Sequence, residues 1–216
     1  DGSRRSGAEL CGPCEDMVLS QQTHTANLRA VTGADRGKGI TRERDYTDVD
    51  GLITNEPGIC LVTSFADCVP LYFVDPVKKA IGLSHSGWRG TVGKIGKRTV
   101  EMMGESFGSD PADILAAVGP SVCMDCYEVS GDVIEKFRQV FDEKLWPELF
   151  YEKENGKCQL DLWKANELIF LESGILPEHM AVTNLCTHCN SEILYSHRAA
   201  GDKRGNLCAF LALKEG

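Results

Sequence analysis

Two histidines and one cysteine stand at points where distant parts of the chain could hold a metal ion together. His24 lies in the polar segment 20–25, Cys68 follows an apolar run, and His85 follows another. Two imidazoles and a thiolate suit zinc, and a catalytic zinc keeps three protein ligands with its fourth position open. Such an ion makes water a nucleophile at neutral pH. The residue types therefore predict a metal site with catalytic capacity at His24, Cys68 and His85.

The same three residues allow other interpretations. A lone His or Cys often serves only in capping or packing, and a metal-free Cys68–His85 pair could act as nucleophile and base in a hydrolase. Copper could also occupy the three-ligand site, since divalent copper binds such ligands more tightly than zinc does. A trinuclear copper cluster is not expected, because the chain has five histidines and no His-x-His pair.

The segment after His85 has the composition of an anion site. Gly87-Trp88-Arg89-Gly90 precedes a helix predicted to begin near Thr91. Glycines allow close backbone approach, a helix start offers free N–H groups, and arginine binds phosphate with a forked cation. We expect a phosphate or other oxyanion at Arg89. The alternative is a simple turn in which Arg89 pairs with a carboxylate.

Three Cys-x-x-Cys pairs occur, at Cys11/Cys14, Cys123/Cys126 and Cys186/Cys189. The first copies a thioredoxin-type tetrapeptide, but its polar surroundings do not predict the strand and helix which that chemistry requires. The other two pairs, with His188 nearby, could form a structural zinc site. They are far apart in sequence and lack the spacing of a compact zinc ribbon.

The elements that must position these side chains are short strands and a few helices. Apolar runs predict strands, at Ile59–Phe65, Leu71–Val74, Ala80–Ser84, Ile114–Val118, Ala181–Leu185 and Leu207–Leu213. Helical periodicity predicts helices, at Thr91–Glu105, Gly131–Phe141 with Ser130 as N-cap, and Asp161–Ser173 with Asp161 as cap and Gly174 as stop. Strands outnumber helices without strict alternation, which favours an α+β fold over a doubly wound one.

Composition narrows the class of protein. The chain has 216 residues and a net charge of -9, with no dense basic face, so nucleic acid is not an expected partner. It has no stretch that would span a membrane and no secretion signal, and we expect reduced thiols and a cytoplasmic location. The simplest organisation is a tail of uncertain structure at 1–16 and a single catalytic domain at 17–216.

The motifs together resemble one known family. Ala66-Asp67-Cys68-Val69-Pro70 and His85-Ser86-Gly87-Trp88-Arg89-Gly90 resemble the signature of the multicopper polyphenol oxidase (laccase-domain) family, whose members are now mostly described as purine nucleoside phosphorylases. Further ordered matches extend the resemblance over about residues 17 to 213, at Gln22–His24, Asp48–Asn55, Gly119–Val122, Cys126–Val129, Asp161–Leu162, Cys186–Thr187 and Tyr195–Arg198. The sequence departs from the family at Asp125, which replaces the first cysteine of a doublet, and at Thr25, which replaces a glycine.

The resemblance carries expectations about fold, site and activity. It implies two mixed β-sheets packed as a sandwich with helices on the outside, an α/β/β/α arrangement. It also implies zinc, or copper at the same site, on His24, Cys68 and His85. The implied activities are phosphorolysis of adenosine, inosine, guanosine and methylthioadenosine, and deamination of adenosine. Arg89 would bind phosphate, and Ser196 and Arg198 are further candidates for contacts with the small-molecule nucleoside or phosphate.

Overall fold

Three β-sheets form the framework of the computed structural model, which describes residues 12–214. The strands are β1 Met17–Leu19, β2 Leu28–Ala30, β3 Gly51–Thr54, β4 Cys60–Phe65, β5 Val69–Asp75, β6 Ala80–Ser86, β7 Leu115–Val118, β8 Glu128–Val129, β9 Phe150–Glu152, β10 Cys158–Leu160, β11 Met180–Val182 and β12 Leu207–Ala212. The largest sheet has the order β11-β7-β5-β6-β3-β2. A second sheet has the order β1-β4-β12, and a small antiparallel sheet has the order β8-β10-β9.

The hairpin of β5 and β6 brings two of the predicted metal ligands together. The strands are antiparallel, and Val69 pairs with Ser86 and Pro70 with His85. Cys68, directly before β5, therefore lies beside His85 near the end of β6. This confirms the strands predicted at Leu71–Val74 and Ala80–Ser84, which pair with each other. Both strands are longer than their apolar runs, since β5 begins before Leu71 and includes Pro70.

The first two sheets are both mixed and pack face to face. Their interface is an apolar core in which Leu61 and Ala209 of the three-stranded sheet meet Leu52, Ile81 and Leu83 of the six-stranded sheet. The predicted α+β class and sandwich of two mixed sheets are confirmed. The small antiparallel sheet was not expected, because its strands have two or three residues each and give no periodic signal.

The helices are α1 Trp88–Val92, α2 Ile95–Phe107, α3 Gly131–Arg138, α4 Trp146–Leu149, α5 Leu162–Glu172 and α6 His197–Ala200. Helices α2 and α5 pack on the six-stranded sheet through a second core, to which α3 also contributes residues and in which Phe73 of β5 meets Phe170 of α5 with ring centroids 5.3 Å apart. Asp161 caps α5 by accepting a hydrogen bond from the Lys164 N–H, and Gly174 follows the helix with a φ of 93°, both as predicted.

The prediction of one helix from Thr91 to Glu105 is wrong, because two helices occupy this region. Helix α1 ends at Val92 and α2 begins at Ile95. Lys94 has a left-handed backbone with a φ of 53°, which breaks the helical path. Gly93 permits a close approach here, since a Cβ atom at this position would lie 2.8 Å from Cβ of Ala26. The first of the two helices, α1, also begins earlier than expected, at Trp88, so that Arg89 lies within the helix and not in a loop before it.

Other differences concern the ends of elements. Strand β11 is shorter than the predicted Ala181–Leu185, and Asn184 beyond it has a left-handed φ of 52°. Ser130 is the N-cap residue of α3, although its side chain makes no capping hydrogen bond. Of the predicted tail, Cys11 lies outside the described residues, and Cys14–Asp16 form a short 3-10 helix. None of the helices between residues 12 and 214 has the length and apolar character needed to cross a membrane.

Candidate metal centre and its cavities

Asp50 holds two of the three predicted ligands, His24 and His85, in place. It follows a bridge residue, Val49, directly before β3, and its side chain is fully buried. One carboxylate oxygen lies 2.9 Å from Nδ1 of His85. This leaves Nε2 of His85 free for a metal, which is the carboxylate–histidine arrangement common around protein-bound zinc. No role was assigned to Asp50 from sequence, although it lies within the family match Asp48–Asn55.

His24 is positioned by the same carboxylate. The loop between β1 and β2 turns sharply here, and His24 has a left-handed φ of 65°. The backbone N–H groups of Thr23, His24 and Thr25 all donate to the Asp50 carboxylate, at 3.2, 3.1 and 2.8 Å. These hydrogen bonds offset the backbone strain. His24 is thus held by a turn between β1 and β2 and does not lie in a strand.

The structure brings the three predicted ligands together. The ligand atoms of His24, Cys68 and His85 all lie within 4.8 Å of one another. The two imidazole rings meet edge to face with centroids 5.1 Å apart. Tetrahedral zinc with its usual bond lengths needs nitrogen and sulfur ligands roughly 3.3–3.8 Å apart. The trio and its Asp50 partner therefore fit a zinc ion after shifts on the order of 1 Å.

The hydrogen bonds within this cluster lower the pKa of the Cys68 thiol and so favour its charged thiolate form. Burial raises the pKa of the Cys68 thiol, but hydrogen bonds from His24 and His85 outweigh it and bring the pKa to about 6. Burial lowers the pKa of His85, but hydrogen bonds to Asp50 and Cys68 raise it to about 9. Burial likewise opposes ionisation of Asp50, and the bonds from His85 and Thr25 hold its pKa below the usual value. These shifts favour a thiolate at Cys68, an imidazolium at His85 and a carboxylate at Asp50 near neutral pH.

Two cavities meet at the trio, and both are lined by His24 and Cys68. One, of about 340 Å³, is lined by polar groups that include Gln22, Arg44 and Asn206. We call it the polar cavity. The other, of about 300 Å³, is lined by Trp88, Arg89, Tyr127, Leu162, His197, Arg198 and Arg204 among others. We call it the arginine cavity. A larger and more open depression of about 550 Å³, formed mainly by residues 39–47, does not include the trio.

The arginine cavity presents three guanidinium groups. Arg89 stacks on Trp88, with its guanidinium carbon 4.2 Å from the ring centroid. Arg198 stacks on Tyr127 at 4.7 Å, and Arg204 donates to Asn206 Oδ1 at 2.6 Å. None of the three forms an ion pair with a carboxylate among residues 12–214. Unpaired cations around a cavity suit an anionic ligand. The alternative that Arg89 pairs with a carboxylate is therefore not supported.

Arg198 and Ser196 have different positions. Arg198 lines the arginine cavity, and its Nη1 also donates to the Glu128 carbonyl at 2.7 Å. Ser196 is buried and is the N-cap of α6, where its Oγ accepts from the Ala199 N–H at 3.2 Å. It does not line either of the two cavities. A substrate contact of Ser196 stays a prediction. No role was assigned to Tyr127 or Arg204 from sequence; Tyr127 lies within the match Cys126–Val129, and Arg204 lies outside the recognised motifs.

The turn from β6 into α1 lies close to two of the predicted metal ligands, Cys68 and His24. A Cβ atom on Gly87 would lie 3.0 Å from Cys68 Sγ and 3.1 Å from His24 Cδ2, so only glycine leaves both ligands undisturbed. The turn is tied to α5 by buried polar groups. Ser86 Oγ lies 2.9 Å from Thr91 Oγ1 and donates to Asn166 Oδ1 at 3.2 Å. The close approach at Gly87 explains why a glycine stands there.

Comparison with known proteins places this arrangement in a family. The sequence profile of the family described as multi-copper polyphenol oxidoreductase laccase matches residues 3–214. The chain belongs to this family.

Its relatives include enzymes of purine metabolism. Purine nucleoside phosphorylase YlmD of Bacillus subtilis is 39% identical over 206 residues, which cover 93% of this chain and 72% of that protein. Adenosine deaminase RL5, from an unknown prokaryotic organism, is 33% identical over 192 residues, covering 88% and 72%. The crystal structure of the Bacillus licheniformis hypothetical protein YfiH superposes with a TM-score of 0.91 at 35% identity, covering 96% of this chain and 78% of that one.

Proposed function

We propose that the chain is a purine nucleoside phosphorylase with adenosine deaminase activity, acting at a zinc site on His24, Cys68 and His85. Adenosine, inosine, guanosine and methylthioadenosine are the proposed nucleosides. The observation that carries the proposal is the meeting of the trio with a cavity lined by three arginines. The names of the relatives support the same reaction class. The finer assignment to substrate and metal is our inference.

In the proposed phosphorolysis, a phosphate oxygen forms a bond to C1′ of the ribose. The bond from C1′ to the purine nitrogen breaks, and its electron pair leaves with the base, which takes up a proton. Arg89, Arg198 and Arg204 would hold the phosphate and neutralise its charge, because guanidinium groups bind phosphate through paired N–H donors. Trp88 and Tyr127 offer aromatic surfaces at the same cavity, against which a nucleoside can pack.

In the proposed deamination, water adds at C6 of adenosine and ammonia leaves. A bound zinc ion would act as a Lewis acid that makes water nucleophilic at neutral pH. Within the chain, Asp50 fixes the orientation of His85, and the Thr23–Thr25 turn fixes His24. Asp50 is thus a positioning residue, because it acts through the ligands that it holds.

The nucleoside proposal is tested with purified zinc-loaded protein. Inosine with phosphate should yield hypoxanthine and ribose 1-phosphate, and omission of phosphate should stop the reaction. Adenosine in phosphate-free buffer should yield inosine. Arg89→Ala should raise the KM for phosphate roughly 10- to 100-fold, the value of a hydrogen bond to a charged group. Arg98→Ala, an exposed substitution on α2, should leave it unchanged. An unchanged phosphate KM in Arg89→Ala would remove Arg89 from the phosphate site.

A metal-free hydrolase that uses Cys68 and His85 is the second candidate. It is favoured by the lowered pKa of Cys68 and the raised pKa of His85, which together describe a thiolate–imidazolium pair. Exhaustive chelation separates the two functions. Activity that persists after removal of metal supports the hydrolase, and activity that is lost and restored by zinc supports the phosphorylase. Phenol oxidation by copper at the same three ligands would require turnover that survives zinc loading, which we do not expect. The cytoplasmic location stays a prediction.

A further inference from the structure

Four cysteine thiols form a second cluster, separate from the trio. The two Cys-x-x-Cys pairs, at Cys123/Cys126 and Cys186/Cys189, place all four sulfur atoms within 4.8 Å of one another. The pairs are joined by a parallel β-bridge between Ser121 and Cys186. Thr187 donates its N–H to the Ser121 carbonyl at 3.1 Å, which continues the pairing. The fold therefore brings together two pairs that the sequence spacing does not connect.

Apolar packing does not explain this cluster. Cys186 is buried, but Cys123 and Cys126 are only half-buried, and Cys189 is exposed. All four are free thiols, and Cys126 Sγ lies 3.5 Å from Cys189 Sγ. Four sulfurs around a tetrahedral zinc at the usual bond length of about 2.3 Å would lie about 3.8 Å apart. The cluster is close to that geometry.

The backbone around the four cysteines provides hydrogen-bond donors that would stabilise a thiolate at Cys186. The N–H groups of Cys123 and Cys189 point at the Cys186 sulfur, with N–S distances of 3.3 and 3.4 Å. Backbone N–H donors stabilise negative charge on a ligating sulfur. Each pair is also closed by its own turn, since the Cys126 N–H donates to the Cys123 carbonyl and the Asn190 N–H to the Cys186 carbonyl, both at 3.1 Å.

We propose that Cys123, Cys126, Cys186 and Cys189 bind a structural zinc ion. Four protein ligands fill a tetrahedral shell and leave no position open for water or substrate, so this site supports folding and not chemistry. His188, considered from sequence, is not needed, because the four thiols alone complete the ligand set.

The proposed zinc would hold one wall of the arginine cavity. Tyr127 directly follows Cys126 and lines that cavity. On the other side of the cluster, Thr187 Oγ1 and the Arg198 N–H both donate to the Asp67 carboxylate, at 2.6 and 2.7 Å. Asp67 precedes Cys68 in the chain. The ion therefore connects the segments that carry Tyr127, Arg198 and Cys68, and its loss should loosen all three.

The experiment counts zinc in the full chain, purified under reducing conditions without added metal chelators. Wild type should contain about two zinc ions and Cys68→Ser about one, bound by sulfur alone at about 2.3 Å in X-ray absorption. The double variant Cys126→Ser/Cys189→Ser should also lose about one. Cys208→Ser changes an exposed cysteine outside both clusters and is the matched control, which should keep the wild-type content.

Because the double variant could fail to fold, Cys68→Ser decides the outcome. Its folding is checked by circular dichroism. The proposal is overturned if this folded variant contains no zinc, if nitrogen replaces sulfur in its ligand shell, or if mass spectrometry finds disulfides among the four cysteines. Iron in place of zinc would overturn the assignment of the metal. Failure of phosphorylase activity would not affect this result, since Cys68→Ser already lacks the other site.

Discussion

At the residue scale, a single buried carboxylate organises the candidate metal centre. Asp50 accepts hydrogen bonds from three successive backbone N–H groups, the Thr25 hydroxyl and the His85 ring. It thereby fixes both histidines, which come from different parts of the chain. The sequence predicted the ligands from their chemical types, but it could not reveal this residue, because the partners of a buried carboxylate are known only after folding.

Replacing Asp50 tests this role. Asp50→Asn removes the charge that holds Nδ1 of His85, and we expect zinc affinity to fall about 10- to 100-fold. The measurement is competition with a chromophoric chelator. Asp48→Asn is the matched control, because Asp48 accepts from the Thr23 hydroxyl at 2.7 Å on the surface and does not touch a ligand. Equal affinities for the two variants would show that Asp50 does not position the site.

Zinc binding should depend on pH in a direction set by His85. Its pKa is raised to about 9 and that of Cys68 is lowered to about 6, so near neutral pH the thiolate is ready and the imidazole still carries a proton. Zinc must displace that proton. Affinity should therefore rise by up to about tenfold per pH unit from neutral pH to about pH 9 and then level off. Calorimetry in buffers of different ionisation enthalpy should detect about one proton released. Affinity independent of pH over this range would contradict the assignment.

At the element scale, the turn into α1 shapes the metal centre. Gly87→Ala would place a Cβ atom 3.0 Å from Cys68 Sγ, so the ligand must move. We expect a clear loss of zinc affinity with little change in secondary structure. Gly131→Ala is the control, because a Cβ atom at the start of α3 would meet nothing within 4 Å. Zinc content and melting temperature are measured for both. A Gly87→Ala protein with full zinc affinity would show that this turn yields without disturbing the ligands.

A second element, the loop after β2, depends on Asp35. This buried carboxylate closes a capping box with Thr32 and pairs with Lys38 at 2.7 Å and Arg29 at 3.0 Å. Burial opposes its ionisation, but the hydrogen bonds from Lys38, Thr32 and Arg29 bring its pKa to about 2. The loop continues to Arg44, which lines the polar cavity.

We expect Asp35→Asn to destabilise the protein by about 1–3 kcal/mol at neutral pH, because buried donors lose their charged acceptor. The folded-state pKa lies below the unfolded one, so the carboxylate stabilises the fold above about pH 4, and this contribution is lost as the pH falls through about 2. Urea unfolding at several pH values measures the difference, which should shrink in acid. Asp45→Asn, which also contacts Lys38 but is exposed, should have the smaller effect. Equal effects would contradict this ranking.

The helices and strands show which parts of the fold can be read from sequence. Strands β5 and β6 were predicted from their apolar runs, and α5 from its helical periodicity together with its cap Asp161 and its stop Gly174. The break between α1 and α2 was not, because Lys94 adopts a left-handed backbone that its residue type does not favour. The spacing of the four cysteines did not predict that their thiols lie together, because the Ser121–Cys186 bridge that joins the two pairs is a long-range contact.

At the scale of the whole molecule, the charge lining the arginine cavity is opposite in sign to the net charge of the chain. The chain has 32 acidic and 23 basic residues, yet three arginines line one cavity and form no ion pair with any carboxylate of residues 12–214. A cavity lined by charges of one sign attracts ions of the opposite sign, which agrees with the proposed phosphate site. In the six-stranded sheet β6 lies between β5 and β3, which brings together Cys68 before β5, His85 in β6 and Asp50 before β3, and Asp50 in turn holds the loop that carries His24. This order depends on crossovers that a single sequence does not reveal.

The most direct test of the account compares two proteins in one assay. Zinc-loaded wild type and Cys68→Ser are incubated with inosine and phosphate at equal concentration, and hypoxanthine is quantified by chromatography. Wild type should form hypoxanthine only when phosphate is present, and Cys68→Ser should be roughly 100-fold slower or more, since a metal ligand is lost. Equal rates in two folded proteins, or no phosphate-dependent product from wild type, would contradict the assignment of purine nucleoside phosphorolysis to this site.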